Sequence, residues 1–140
     1  MRRVVVTGIG TINSTGHNVK DSFDAVVNGV CGIDTITLFD ASDFSVQIAG
    51  EVKDFNPETV MDKKEVKKAD RFIQLGIKAA LEAMIDSGYV TQEDKKVDAT
   101  IANRFGIISG SGIGGLSTIE KNSIVCETKG SRKISPFFIP

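Results

Sequence analysis

The chain has 140 residues, 41% of them hydrophobic and 25% charged, with a formal net charge of −1. That length supports one domain with a core and is short for two. The balanced charge gives no global basic field for nucleic acid, and no apolar run is long enough to span a bilayer.

The first residues, MRRVVVTGIG, combine a basic start with a short apolar run. The run breaks at Gly8 and Gly10, too early for a secretory leader, and no small-residue cleavage site follows. Residues 4–7 therefore predict a strand buried on both faces, and the cytoplasm is the expected compartment. After the loop 8–16, Val19, Phe23, Val26, Val27 and Val30 recur at helical steps and predict one apolar stripe. Asn28 and Gly29 begin to close that helix, and Gly32 completes the break. Residues 33–47 mix polar and apolar types, residues 48–52 suggest a short strand, and Pro57 marks a loop.

A long helix is predicted over residues 70–87, stopped by Gly88. Phe72, Ile73, Leu75, Ile77, Leu81, Met84 and Ile85 cover most of its circumference, which predicts deep burial. Gly76, Ala79, Ala80 and Ala83 would admit another backbone at close range. Residues 91–103 are polar and expected at the surface. Residues 105–109 read as a second buried strand, followed by a glycine-rich turn and a helix through Leu116, Ile119 and Glu120. The order β-α-(β)-α-β-α predicts an α/β fold with a mostly parallel sheet. Two firm strands and one weak one are few for such a sheet. The last five residues, Pro136, Phe137, Phe138, Ile139 and Pro140, are unusually apolar for a chain end. Both features lead us to expect part of a larger protein.

Gly110, Gly112 and Gly115 satisfy G-x-G-x-x-G between a predicted strand and a predicted helix, the setting of a dinucleotide-binding turn. The acidic residue expected about twenty positions further on is absent, because that place holds Ser135 beside Pro136. A tight turn that only glycine allows is the favoured reading, with nucleotide binding as the alternative. The earlier turn at Gly8 and Gly10 has Asn13 at the third glycine's place, and no Gly-Lys-Ser/Thr follows it. Cys31 and Cys126 have no CxxC spacing and no histidine cluster nearby, so neither a metal site nor a disulfide is expected.

Several strings in order take the reading further. VVVTGIG from Val4 resembles the first strand and turn of the β-ketoacyl synthases. Phe39-Asp40 and IAGEVKDF from Ile48 are similar to the synthase II subfamily, as is DRFIQ from Asp70. GSGIGG from Gly110 and RKISPFFIP from Arg132 are the most specific of the set. The resemblance runs the length of the chain.

It implies a thiolase-like layered α/β/α/β/α fold, of which this chain would be most of the first half, residues 1–140 forming a truncated N-terminal half-domain. It implies a homodimeric acyltransferase of fatty-acid synthesis, a 3-oxoacyl-[acyl-carrier-protein] synthase II. Such an enzyme joins an acyl chain held on cysteine to malonyl-carrier protein with loss of CO₂. The chemistry needs a thiolate nucleophile and donors for the developing negative charge. The family's one cysteine and two histidines match no residue here. Cys31 and Cys126 are expected as small packing residues, and His17 as a solvated loop residue.

Three residues would match the family's acyl pocket. Ile113 corresponds to its gate, and Phe138 and Ile139 to residues that reach into a dimer partner's pocket. Two basic clusters, Lys63, Lys64, Lys67 and Lys68, then Lys129, Arg132 and Lys133, would face the acidic acyl carrier protein. No cofactor, metal, nucleic acid or membrane partner is implied. A non-catalytic partner resembling a chain-length factor is the alternative within the same fold, and the isolated segment is expected to be inactive.

Overall fold

The computed structural model describes residues 2–136 and 138. Its helices are α1 (Val19–Val27), α2 (Lys63–Val66), α3 (Arg71–Asp86), α4 (Ala99–Ala102) and α5 (Leu116–Lys129). Two short strands, β1 (Asp34–Thr35) and β2 (Ile48–Ala49), pair antiparallel, and single 3-10 turns occupy Pro57–Thr59 and Ser131–Lys133. Contacts divide the chain into two compact units, Met1–Asn56 with Ile77–Phe105, and Pro57–Gly76 with Gly106–Pro140.

The first unit is organised around the C-terminal part of α3. Gly8 and Gly10 lie directly on its backbone, where added Cβ atoms would overlap the carbonyls of Ala83 and Ala79. Of the four small residues expected to admit another backbone, Ala79 and Ala83 do so, while the side-chain position of Gly76 meets nothing and Ala80 is exposed. Two carboxylates of α3 then take up main-chain donors of the N-terminal segment. Asp86 Oδ2 accepts from Ile9 N at 2.9 Å, and Glu82 accepts from Thr11 N at 3.1 Å and from Val19 N at 2.7 Å. Val19 opens α1, so its N–H has no partner within the helix. Asn18 caps the same end, its side chain accepting from Asp21 N at 2.8 Å.

α1 buries Ser22 and Ala25, whereas Phe23, Val26, Val27 and Val30 of the predicted stripe stay exposed and Val19 is half-buried. The small face wins because Asn13 reaches across to it, its Nδ2 donating to Ser22 Oγ at 3.0 Å. Gly29, at φ 68°, ends the helix, and Val30 N donates back to Ala25 O at 2.8 Å. The β1–β2 ladder pairs Asp34 with Ala49 and Thr35 with Ile48. Lys53 spans it to Asp34 at 2.8 Å, and Glu51 accepts from Thr37 N and Leu38 N at 3.0 and 3.1 Å. Tyr89 and Phe105 meet edge to face, with centroids 4.8 Å apart.

In the second unit, Gln74 Nε2 donates to the carbonyls of Val66 and Ala69 at 3.2 and 3.0 Å and closes the end of α2. α5 packs against the 3-10 turn Ser131–Lys133, and Asn122 Oδ1 accepts from Ser135 N at 3.1 Å.

Two expectations about burial are corrected. Residues 4–7 and 105–109 form no ladder, and Val4, Ile107 and Ile108 are 95, 94 and 102% exposed. A strand buried on both faces needs neighbours on either side, and the described residues supply none. The only sheet among them is the antiparallel pair, in place of a mostly parallel one. α3 is half-buried along its length, with Phe72 and Ile77 open to solvent. Its apolar circumference is built for more cover than these residues provide.

Candidate functional site

Within the second unit, the glycine-rich turn after residue 109 and the start of α3 enclose a depression of about 450 Å³. Phe72, Ile73, Ile113, Ile119 and Phe138 supply its apolar lining, and Lys68 and Asp70 its charged side chains. An apolar slot with a few polar groups at one side suits a flexible hydrocarbon chain.

The turn owes its shape to Gly114 and Gly115, left-handed at φ 43° and 50°. Side chains are disfavoured there on two counts. The conformation itself costs a non-glycine residue roughly 1–2 kcal/mol. A Cβ on Gly114 would also stand 2.9 Å from Phe72 Cζ, and one on Gly115 would overlap Asp70 Oδ2. α5 begins directly after, with no side-chain cap of its own and no acidic residue in its first turn. Asp70 reaches this end of α5 from a distance: Thr118 Oγ1 donates to Asp70 Oδ1. The carboxylate thereby lies near the positive end of the α5 dipole.

Two of the three sequence-derived pocket residues, Ile113 and Phe138, line this one depression. Ile139 lies outside the described residues. The fingerprint reading of the turn finds no strand before it, since residues 105–109 form no ladder. Asp70, Phe72, Ile73 and Ile119 were not picked out as pocket residues. The DRFIQ string marked the helix start but carried no signal of what it faced.

All seven basic residues of the two clusters belong to the second unit and are exposed. Lys63 and Lys64 open α2, Lys67 caps it, and Lys68 pairs with Glu65 at 3.2 Å. Lys129 ends α5, and Arg132 and Lys133 sit in the following 3-10 turn.

The isolated histidine and the cysteines fall elsewhere. His17 and Cys31 line a polar depression of about 390 Å³ in the first unit, with Asp21, Asp34, Glu51 and Lys53. His17 is partly covered by Phe55, their ring centroids 6.1 Å apart. Both thiols are free and exposed, which corrects their expected role as packing residues. Hydrogen bonding from Lys53, then from the Thr35 amide, holds the Asp34 carboxyl below its ordinary range. Thr37, through its hydroxyl and then its amide, does the same to Glu51. These carboxylates are committed to the β1–β2 ladder. Among the described residues no group of three or more His, Cys, Asp or Glu could hold a metal ion. No helix among them is long and apolar enough to cross a membrane.

Residues 1–140 match the family model described as β-ketoacyl synthase, N-terminal domain. The chain belongs to the β-ketoacyl synthase family. It is 47% identical over 139 residues to the 3-oxoacyl-[acyl-carrier-protein] synthase 2 of Coxiella burnetii, covering 99% of this chain and 32% of that protein. The enzymes of the same name from Vibrio harveyi and Staphylococcus aureus strain COL are 46% and 44% identical over the same shares. The chain thus spans about a third of the length of the curated relatives it matches. The solved structure of the ishigamide ketosynthase/chain length factor matches it with a TM-score of 0.74 at 27% identity, covering 98% of this chain and 33% of that one. This β-ketoacyl synthase segment therefore carries part of a thiolase-like α/β fold.

Proposed function

We propose that the chain is the N-terminal segment of a 3-oxoacyl-[acyl-carrier-protein] synthase II. The whole enzyme elongates fatty acyl chains by decarboxylative condensation of an acyl-enzyme with malonyl-carrier protein. This segment contributes one side of the acyl pocket and a carrier-facing surface. The nucleophile and the paired histidines fall on none of its residues, so the segment alone is inactive. The enzyme acts as a homodimer in the cytoplasm, and Phe138 and Ile139 belong to its acyl pocket. Lys63, Lys64, Lys67, Lys68, Lys129, Arg132 and Lys133 attract the acidic carrier protein.

The observation that carries this reading is the meeting of Ile113 and Phe138, 25 positions apart in sequence, around one apolar depression. Identities of 44–47% to enzymes named 3-oxoacyl-[acyl-carrier-protein] synthase 2 support the condensing-enzyme reading.

The test is Ile113→Phe in the full-length enzyme, assayed with acyl-carrier proteins from four to sixteen carbons. A larger ring in an apolar slot discriminates by roughly tenfold or more, so turnover of long chains should fall while four-carbon elongation persists. An unchanged chain-length profile would remove Ile113 from the pocket. A glutamine at the nucleophile position of the full-length sequence would instead favour the chain-length-factor reading.

A further inference from the structure

Asp70 stands at the start of α3 and acts at the start of α5, 48 residues later. Its main-chain carbonyl accepts from Gln74 N at 3.1 Å, in the pattern of a helix opening. Its side chain turns away to Thr118, in the first turn of α5, and lies against Gly115. One residue thus ties the segment that carries Phe72 and Ile73 to the glycine turn that carries Ile113.

The turn needs such a tie. Two consecutive left-handed glycines lose more conformational freedom on ordering than any other pair. Gly115, the residue before α5, offers no side chain to cap it. Ile113 immediately precedes the left-handed pair, so its placement follows the turn. Without the clamp, burial of apolar surface would draw Ile113 down onto Phe72, Ile73 and Ile119. That movement narrows the slot.

We propose that Asp70 is a positioning residue whose bond to Thr118 holds the glycine turn open, and so sets the length of acyl chain the depression accepts. This rests on the acyl-pocket reading given above. Asp70 touches no reacting atom. It acts through Thr118, Gly115 and the placement of Ile113.

The experiment uses the full-length enzyme, with sixteen-carbon and four-carbon acyl-carrier proteins as paired substrates. For Asp70→Ala and for Thr118→Val, the ratio of long-chain to short-chain kcat/KM should fall about tenfold, the scale of a small change in an apolar slot. The double variant should be no worse than either single one, because both remove the same bond. Asp70→Asn keeps an oxygen that can accept from Thr118, and should restore most of the ratio. Thr118→Val, a near-isosteric change, keeps the test open should Asp70→Ala fail to fold. A loss equal at both chain lengths would overturn the proposal and leave Asp70 a stabilising contact only. Ile113→Phe separates the two ideas. If it shifts the ratio and the Asp70 and Thr118 variants do not, the clamp is refuted and the pocket stands. If none of the variants shifts the ratio, the pocket reading falls and the clamp with it.

Discussion

Replacing Glu82 by alanine removes the acceptor for two main-chain donors at once. Its Oε1 takes Val19 N at 2.7 Å and its Oε2 takes Thr11 N at 3.1 Å. Both N–H groups are part-buried, and neither has another partner within a helix or ladder. A hydrogen bond to a charged group is worth about 1.5–3 kcal/mol net. Glu82 keeps only 20% of its side-chain surface exposed, so solvent screening takes a modest share. The lower figure for each bond gives a loss of about 3 kcal/mol, a large fraction of the 5–15 kcal/mol that holds a typical domain. Glu82→Gln retains one acceptor oxygen and should lose about half as much. The pairing of Glu82 with Lys78, one helical turn away at 3.6 Å, adds little, and Lys78→Met should stay within about 0.5 kcal/mol. Urea unfolding of the purified protein measures all three as shifts in midpoint at constant slope. If Glu82→Ala shifts the midpoint no more than Lys78→Met, the carboxylate does not anchor the N-terminal segment, and the argument from paired donors is wrong.

The Glu51 carboxyl, held low by the Thr37 hydroxyl and amide, should make the β1–β2 region acid-labile. A depressed folded value means its contribution is full above the unfolded range near pH 4.3 and fades as pH falls through the folded value. Amide exchange at Thr37 and Leu38 should lose protection on acidification in the native protein, while Glu51→Gln is already weakly protected at neutral pH. Protection that ignores pH in the native protein would contradict this. In the full-length enzyme, reversing Lys63, Lys64 and Lys67 together to glutamate should raise KM for acyl-carrier protein about tenfold at low salt, with kcat kept and the difference shrinking as salt screens the field. A KM that does not move would take this surface out of carrier recognition.

The three longer helices were legible in the sequence because their causes are local. Gly29 after α1 and Gly88 after α3 punctuate the chain within two residues of where those helices end, whereas the Asn18 cap and the short helices α2 and α4 left no comparable signal. Burial was not legible in the same way. Three consecutive valines at 4–6 and the isoleucine pair at 107 and 108 have the composition of a sheet interior, yet a ladder depends on distant partners that composition does not name. The apolar stripe of α1 misled for a related reason. Periodicity identifies a face, but the contact went to Ser22 and Ala25, where small side chains allow Asn13 to approach. Ile113 and Phe138 were legible only through the family resemblance. The reach of Asp70 to Thr118 left no trace in either string, since nothing local links residues 48 apart.

The seating of Gly8 and Gly10 on α3 acts as a vernier. Gly10 meets Ala79 and Gly8 meets Ala83, so two residues of one segment count against four of the other. Two residues of extended chain advance about 6.6 Å, and four of helix about 6 Å. The graduations nearly coincide, and the next matching position is a full helical turn away. A single residue inserted between the two glycines, or between the two alanines, would put the scales out of step. Length changes on this seam should therefore be tolerated only outside residues 8–10 and 79–83, where a loop can absorb them.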